Sequence, residues 1–313
     1  MIRNQKYIAS LMLLLILFTS LSGCIGSEQD GSEMKESETP DNSDSSAVSS
    51  DCMEFAQVER CWFILVPDGV TAEEPVPLVI DLHGYGGSNN LQYNMSGFAE
   101  IAAEDKIIVA YPQGYEDFWG IDIGGVSNDV DDVGFLTALI EAIISDQPID
   151  ENRVYMTGWS NGCMMTQRFA VETQGILAAA GCMAGYLMTD APASYTSPIP
   201  FMEVHGMMDT TVNYVDNSGT TVVFFQNTAG VNKGAVQNLE YWADINNCNG
   251  VVPEIISTGQ NYDIRGYTNC ESDAQVRLMS LHATGHNPYP GGNPTGIPTT
   301  SILWEFMSQY SLQ

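Results

Sequence analysis

Basic residues are scarce in this chain of 313 residues, where 10 Lys and Arg accompany 39 Asp and Glu. The formal net charge of −29 leaves no basic surface that could hold a phosphate backbone, which excludes nucleic-acid binding. Anionic lipid headgroups are equally poor partners for such a surface. Any attachment to a membrane therefore requires a hydrophobic or lipid anchor.

Metal-binding motifs are lacking as well. The four histidines are scattered, and neither a Cys-x-x-Cys nor a His-Glu-x-x-His spacing occurs. Asp129, Asp131 and Asp132 do not have the spacing of a calcium loop, and we interpret them as caps of a following helix. We expect neither a metal nor a cofactor.

An apolar segment followed by a cysteine lies at the N-terminus. Arg3 and Lys6 precede the apolar run 8–18, and small residues lead into Cys24. This pattern resembles a lipobox, which implies cleavage before Cys24 and lipidation of its thiol. The apolar run is too short to span a bilayer comfortably. We predict a lipoprotein signal peptide over 1–24 and an exported, cell-surface protein anchored only through Cys24; an ordinary secretory signal is the alternative.

Residues 25–50 are acidic and rich in serine. They include seven acidic residues, eight serines and one lysine, with almost nothing apolar. Such a segment cannot bury enough surface to offset the entropy lost on ordering. We predict a disordered tether over 25–50 and a single catalytic domain over 51–313.

Six further cysteines indicate disulfides, because an even number of cysteines in a protein outside the cytosol is typical of a disulfide framework. They are Cys52, Cys61, Cys163, Cys182, Cys248 and Cys270. Cys52 with Cys61, and Cys248 with Cys270, are local pairs that would each close a short loop. The sequence alone leaves the connectivity open.

Short apolar runs alternate with amphipathic stretches after residue 51. The runs predict strands over 61–66, 78–82, 107–111, 154–157, 177–183, 201–205 and 276–282. The stretches predict helices over 90–105, 130–145, 161–172, 231–245 and 300–310. This alternation predicts an α/β fold with a mostly parallel central sheet and helices on both faces. Residues 212–230 are expected to form an irregular insertion over a pocket.

One predicted strand-to-helix junction contains a catalytic sequence motif. The strand predicted at 154–157 runs into Gly-Trp-Ser-Asn-Gly at 158–162, which matches the Gly-x-Ser-x-Gly turn called the nucleophile elbow. The tight turn would expose Ser160 and needs flanking glycines, because a Cβ there would collide with the neighbouring strand or helix. The N-terminal end of the next helix favours a developing negative charge. Ser160 is the predicted nucleophile, with the N–H of Asn161 as an oxyanion donor.

A serine nucleophile needs a histidine base. Elbow-type sites have the chain order serine, acid, histidine, which excludes His83 and, if Asp209 is the acid, His205. His282 falls within the last predicted strand, whereas His286 follows it in a loop rich in turn-forming residues. We therefore predict that His286 is the base.

The base in turn needs an acid that holds its tautomer. Asp209 follows the strand predicted at 201–205, and parallel sheets build their sites at the carboxyl ends of strands. Asp190 and Asp216 are rivals, but neither follows so clear a strand. Asp209 is the predicted acid.

The loop after the strand at 78–82 is predicted to hold the oxyanion. His83 and Gly84 begin a glycine-rich turn in which backbone N–H groups can face a substrate oxygen, with the N–H of Tyr85 as the second donor. His83 and Gly84 would also contact substrate. An aromatic wall for an acyl or sugar group is predicted from Trp119, Trp159 and Tyr289, with core packing as the alternative for Trp119.

Taken together, the motifs resemble those of extracellular polyhydroxybutyrate depolymerase-like esterases of the α/β-hydrolase superfamily, similar to feruloyl and acetylxylan esterases of carbohydrate esterase family one. They lie at 82–87, 111–114, 131–135, 153–155, 158–162, 205–209 and 285–286. The resemblance implies a triad of Ser160, Asp209 and His286 and a Cys248–Cys270 disulfide. Cys163 stands where relatives usually carry glycine, and Cys182 lies in the next predicted strand. A bridge between these two cysteines beside the elbow is therefore expected.

The predicted reaction is hydrolysis of polyester or oligoester bonds through an acyl-enzyme. The alternative within enzymes is a feruloyl or acetylxylan esterase acting on polysaccharide-linked esters; a peptidase is a lesser one. A catalytically silent, surface-displayed binding protein is the alternative from another class. The presence of all three triad residues favours an enzyme.

Overall fold

A ten-stranded sheet forms the centre of the molecule. The computed structural model describes residues 47–121, 129–188, 195, 197–215 and 234–313, and these strands lie within them. They are β1 (Ala47–Phe55), β2 (Val58–Val66), β3 (Val76–Leu82), β4 (Ile108–Pro112), β5 (Ile149–Gly158), β6 (Ala179–Met183), β7 (Phe201–Gly206), β8 (Glu254–Thr258), β9 (Tyr262–Tyr267) and β10 (Val276–Leu281). The order in the sheet is β1-β2-β4-β3-β5-β6-β7-β10-β9-β8. Neighbours from β4 through β10 in this order are parallel, and antiparallel strands lie at both edges.

Helices cover both faces of the sheet. They are α1 (Asn89–Met95), α2 (Phe98–Asp105), α3 (Asp132–Asp146), α4 (Asn161–Glu172), α5 (Ala235–Ile245) and α6 (Thr299–Met307). Apolar side chains of α3, α4 and α5 pack on one face, and those of α1, α2 and α6 pack on the other. The predicted mostly parallel sheet with helices on both faces is confirmed. None of the described helices is long and apolar enough to cross a membrane.

The burial of each strand explains which strands the sequence revealed. Every residue of β3, β4, β6 and β7 is buried, so these strands read as continuous apolar runs. The edge strand β8 has no buried residue, and neither β8 nor β9 was predicted. Edge strands carry polar and charged side chains because these discourage their unpaired backbone N–H and C=O groups from pairing with another chain.

The sheet also begins earlier than the composition predicts. β1 starts at Ala47 and pairs antiparallel with β2, with Ala47 opposite Val66. The last four residues assigned to the tether therefore form part of an edge strand. Residues 1–46, with the predicted signal peptide, Cys24 and most of the tether, lie outside the described residues.

The helix predicted over 90–105 is two helices. Gly97 has a φ of 78°, in the left-handed region that glycine adopts without a Cβ penalty, and it separates α1 from α2. The helix predicted from 231 begins at Ala235 among the described residues. In both cases the apolar periodicity was correct but did not mark the break or the start.

Three disulfides connect the six cysteines. Cys52–Cys61 joins opposed residues of β1 and β2, Cys163–Cys182 joins α4 to β6, and Cys248–Cys270 closes the segment between α5 and β10. These are the two local pairs and the bridge beside the elbow that were expected. The Cys163–Cys182 bridge ties the first turn of the helix after Ser160 to the adjacent strand.

A buried carboxyl group in β3 gives a stability prediction. Asp81 is fully buried and accepts a hydrogen bond from Gln92 Nε2 at 2.7 Å, and burial raises its pKa to about 7. The folded state therefore keeps this proton up to a higher pH than the unfolded chain, for which the pKa is 3.8. The contribution of Asp81 to the free energy of unfolding is therefore fully present below about pH 4 and is lost as the pH rises through 7.

Asp81→Asn removes this titration and should stabilise the protein relative to the parent chain as the pH rises. The free-energy difference should grow by on the order of 4 kcal/mol between pH 4 and pH 8. Denaturant unfolding at several pH values measures it, with Glu141→Gln on the exposed face of α3 as the matched control. Parallel stability curves for Asp81→Asn and the parent would contradict the prediction.

Candidate active site

Ser160 lies on a tight turn between β5 and α4. Its backbone has φ 55° and ψ −116°, a conformation that residues with a Cβ rarely adopt. A Cβ on Gly158 would lie 2.7 Å from the carbonyl of Gly162, and one on Gly162 would collide with the carbonyl oxygen of Leu82. Both glycines are therefore required for the close approach of strand and helix. The turn has the geometry predicted for a nucleophile elbow.

The loops after β7 and β10 bring two further predicted residues to this turn. His286 Nε2 lies 2.9 Å from Ser160 Oγ, and His286 Nδ1 lies 2.7 Å from Asp209 Oδ2. With Nδ1–H donating to the carboxylate, Nε2 is left to accept the proton of Ser160. The structure thus places the three predicted residues in one hydrogen-bonded chain.

The carboxylate of Asp209 is buried and fully hydrogen-bonded. Its Oδ1 accepts from the N–H groups of Thr211, at 2.7 Å, and Val212, at 2.9 Å. Burial alone would raise the pKa of Asp209, but hydrogen bonds from His205 and His286 outweigh it and hold that pKa well below its ordinary value. The group can therefore stay ionised and stabilise a positive charge on His286.

The alternative candidates for the base and the acid either contact other residues or lie outside the described residues. His282 is exposed just after β10 and contacts Asp263 Oδ2 at 3.0 Å, as a strand-end residue. Asp190 and Asp216 lie outside the described residues, as does most of the predicted insertion over 212–230.

The predicted oxyanion loop forms a tight turn after β3. The N–H of Gly87 donates to the carbonyl of Gly84 at 3.0 Å, and the N–H of Gly86 donates to the backbone carbonyl of Asp117 at 2.8 Å. The exposed ring of Tyr85 packs on Phe118, with ring centroids 5.3 Å apart. The turn carries the backbone of Tyr85, and its role as a donor remains a prediction.

Asn161 is held by Trp119 on the side of the elbow. Its Oδ1 accepts from the N–H of Trp119 at 2.7 Å, and its Nδ2 donates to the carbonyl of Trp119 at 2.9 Å. Both polar ends of the side chain are thereby used. The backbone N–H of Asn161 is the group that remains for the predicted oxyanion role.

Two acidic residues at the start of α3 anchor the neighbouring loop. Asp131 accepts from the N–H of Gly134 at 2.8 Å, which confirms the predicted helix cap. Asp132 instead forms a buried ion pair with Arg60 at 2.7 Å and accepts from the N–H of Gly120 at 2.8 Å. The ion pair therefore holds the chain next to Trp119.

Burial corrects the predicted substrate contacts of three side chains. His83, Trp119 and Tyr289 have no exposed surface. Nδ1–H of His83 donates to the carbonyl of Gly84 at 2.8 Å, and its Nε2 accepts from the N–H of Gly114 at 2.9 Å. Burial lowers the pKa of His83, in agreement with a neutral ring that accepts at Nε2. The buried side chain of His83 therefore supports the loop rather than presenting a surface to substrate.

The two buried aromatic residues have structural partners. Trp119 Nε1 donates to the carbonyl of His83 at 3.0 Å, and the hydroxyl of Tyr289 accepts from Gln92 Nε2 at 2.8 Å. An aromatic residue in a loop has the same sequence signal whether it lines a pocket or fills the core. The core-packing alternative is therefore correct for Trp119, and Tyr289 is also a core residue.

Trp159 remains beside the site and contacts the predicted base. Its Nε1 donates to the carbonyl of His286 at 2.7 Å, and the two rings are 5.2 Å apart. A Cβ on Gly84 would lie 2.9 Å from the ring of Trp159, so Gly84 allows the oxyanion loop to approach it. Trp159 therefore helps to hold His286 in place.

Two features beside the site were not found from the sequence. His205, excluded as the base, contacts Asp209 Oδ2 through its Nε2 at 3.2 Å. Met207 and Met208 are 46% and 63% exposed on the loop that carries Asp209. The only available signal was position, because all three residues lie within the four positions before the predicted acid.

The chain matches proteins of known family and activity. The family model described as Phospholipase/Carboxylesterase matches residues 70–240. Feruloyl esterase B from Piromyces equi is 29% identical over 259 residues, which cover 81% of this chain and 46% of the relative. A bifunctional acetylxylan esterase/xylanase from Neocallimastix patriciarum is 24% identical, covering 75% of this chain and 31% of the relative. The chain thus spans less than half the length of these curated relatives.

Solved structures share the fold. An acetyl xylan esterase from Aspergillus awamori has a TM-score of 0.58 at 17% identity, covering 76% of this chain and 94% of its own. A thermostable esterase has a TM-score of 0.56 at 19% identity, covering 84% of this chain and 63% of its own. The predicted α/β-hydrolase fold is confirmed.

Proposed function

Because the chain belongs to the phospholipase/carboxylesterase family, we propose that it is a serine esterase with Ser160, His286 and Asp209 as its catalytic triad. One observation carries the proposal. The elbow serine, a histidine and a buried carboxylate form a chain of contacts at 2.9 and 2.7 Å, in the order that nucleophilic catalysis requires.

The proposed reaction has two steps. His286 Nε2 takes the proton of Ser160 as Oγ attacks the ester carbonyl carbon, and Asp209 stabilises the resulting imidazolium. The N–H groups of Asn161 and Tyr85 hold the oxyanion, and the alcohol leaves with the proton from His286. His286 then deprotonates a water that attacks the acyl-enzyme, which releases the acid and restores Ser160.

The proposed substrates are esters linked to plant-type polysaccharides. The named feruloyl and acetylxylan esterases among the relatives support this alternative better than a polyester depolymerase, the first interpretation from the sequence. The exposed apolar side chains of Tyr85, Met207 and Met208 lie on the loops that carry the oxyanion donor and the acid. They support an aromatic acyl group over acetyl, because aromatic rings gain most from burial against apolar surface.

Export and anchoring at the cell surface through Cys24 are part of the proposal. The three disulfides support an oxidising compartment outside the cytosol. The ester substrate is the proposed partner, with contact to the membrane through the lipid alone.

A panel of esters tests the activity and the substrate class. We expect kcat/KM for methyl ferulate to exceed that for methyl acetate by at least about tenfold, since apolar contacts discriminate by this order. Acetylated xylan and hydroxybutyrate oligomers complete the panel, and a preference for the oligomers would favour the polyester interpretation. A fluorophosphonate probe separates an esterase from a silent binding protein, which would leave the probe unreacted.

A further inference from the structure

A second histidine lies behind Asp209, and the mechanism above does not use it. His205 is fully buried in β7. Its Nε2 lies 2.8 Å from the carbonyl oxygen of Val212 and 3.2 Å from Asp209 Oδ2. Its Nδ1 lies 2.6 Å from Glu203 Oε1. The same carboxylate oxygen of Asp209 is therefore contacted by both His205 and His286.

The partners of His205 determine where its protons lie. The carbonyl of Val212 can only accept, as can the ionised Asp209, so His205 Nε2 must carry a hydrogen. The contact of 2.6 Å between His205 Nδ1 and Glu203 Oε1 requires a second proton between these two atoms, because two lone pairs would repel each other. The other oxygen of Glu203 accepts from Asn238 Nδ2 at 2.7 Å. The pair of Glu203 and His205 is therefore electrically neutral as a unit, which makes its complete burial tolerable.

No further charged group contacts His205 in the described part of the chain. The ring of Tyr186 stacks on it at 5.4 Å, and the ring of Tyr214 meets it edge-on at 5.8 Å. The hydroxyl of Tyr214 pairs with Ser280 of β10, and burial raises the pKa of both phenols, which therefore stay neutral. Glu203 and Asp209 are thus the charged neighbours.

We propose that His205 is a positioning residue for the catalytic acid: its Nε2–H holds Asp209 Oδ2 towards His286, and Glu203 fixes the protonation of the ring. This inference rests on the proposed esterase function. Burial would lower the pKa of His205, but hydrogen bonds to Asp209 and Glu203 raise it to about 9. The ring can therefore present positive charge to Asp209 across the neutral pH range.

Replacing His205 tests the role through the pH profile. In His205→Gln the side chain can still donate a hydrogen bond to Asp209 but carries no positive charge. The negative charge of Asp209 is then no longer partly offset by a neighbouring positive charge, and it acts in full on His286. We expect kcat to fall about tenfold with KM unchanged, because the acid is less well aligned. The acid limb of kcat/KM should move up by about half a pH unit, because the imidazolium of His286 is then better stabilised.

The matched control is His282→Gln, which removes the exposed histidine that contacts Asp263. It should keep the parent kcat and pH profile. An active parent enzyme with an unchanged kcat and pH profile in His205→Gln would overturn this inference alone. A parent chain that neither hydrolyses the ester panel nor reacts with a fluorophosphonate would instead show that the proposed function has failed.

If His205→Gln does not fold, nuclear magnetic resonance of the unaltered full chain tests the role by measuring the protonation of the histidine ring nitrogens. In protein with 15N-labelled histidine, we expect one buried ring to keep a hydrogen on Nε2 from pH 6 to pH 8. Glu203→Gln should shift the resonances of this ring, which assigns it to His205. A ring of His205 with an unprotonated Nε2 could not donate to Asp209 and would refute the role.

Discussion

Ser160→Ala is expected to abolish ester hydrolysis, with a fall in kcat of about a million-fold. Alanine lacks the oxygen that attacks the carbonyl, and His286 then has no proton to take. The fold should be unaffected, because serine and alanine both place a Cβ at the positive φ of 55°. Hydrolysis of a p-nitrophenyl ester measures the activity, and circular dichroism with thermal unfolding measures the fold.

The chain offers a matched control for this substitution. Ser272 also has a positive φ, of 54°, and is exposed in a short turn before β10. Ser272→Ala should therefore retain full activity and full labelling by a fluorophosphonate. If Ser160→Ala still turned over the ester at the parent rate, the nucleophile would have to be another group, and the proposed mechanism would be wrong.

Asp209→Asn should lower kcat by about 10,000-fold while KM changes little. The amide can donate to His286 Nδ1, which would move the imidazole proton to Nε2. A protonated Nε2 cannot accept the proton of Ser160, although the contact at 2.9 Å is preserved. Steady-state kinetics on the best ester of the panel measure the loss.

Asp263→Asn is the control for the acid, because Asp263 contacts His282 at 3.0 Å in an otherwise similar pair outside the site. This variant should have parent kinetics. A loss of less than tenfold in Asp209→Asn would mean that Asp209 does not determine the tautomer of His286. The acid would then have to be sought elsewhere.

The sequence revealed the elbow and the central sheet because their signals are local. The Gly-x-Ser-x-Gly pattern specifies a turn in which both glycines meet backbone within contact distance. Strands such as β3 are buried on both faces and read as apolar runs. The edge strands β1 and β8, and β9 next to β8, gave no such signal, because their polar residues are held by pairing with a neighbouring strand.

Burial decided the questions that composition left open. Trp119, Trp159 and Tyr289 were all predicted to form an aromatic wall, yet Trp119 and Tyr289 are buried in the core and Trp159 lies beside His286. The order rule removed His205 from the search for a base and gave no indication of its contact with Asp209. Residue type predicts chemistry, but it does not predict the neighbours that modify that chemistry.

By itself, the sequence determined the acidic surface, the alternation of strands and helices, the elbow, and the residues able to act as acid and base. Only the tertiary structure decided that His286, 126 residues after Ser160, lies within hydrogen-bonding distance of it. It likewise decided that the pair of Glu203 and His205 lies behind Asp209. The physical reason is that local patterns depend on near neighbours along the chain, whereas these contacts depend on the order of β5, β7 and β10 in the sheet and on the loops at their carboxyl ends.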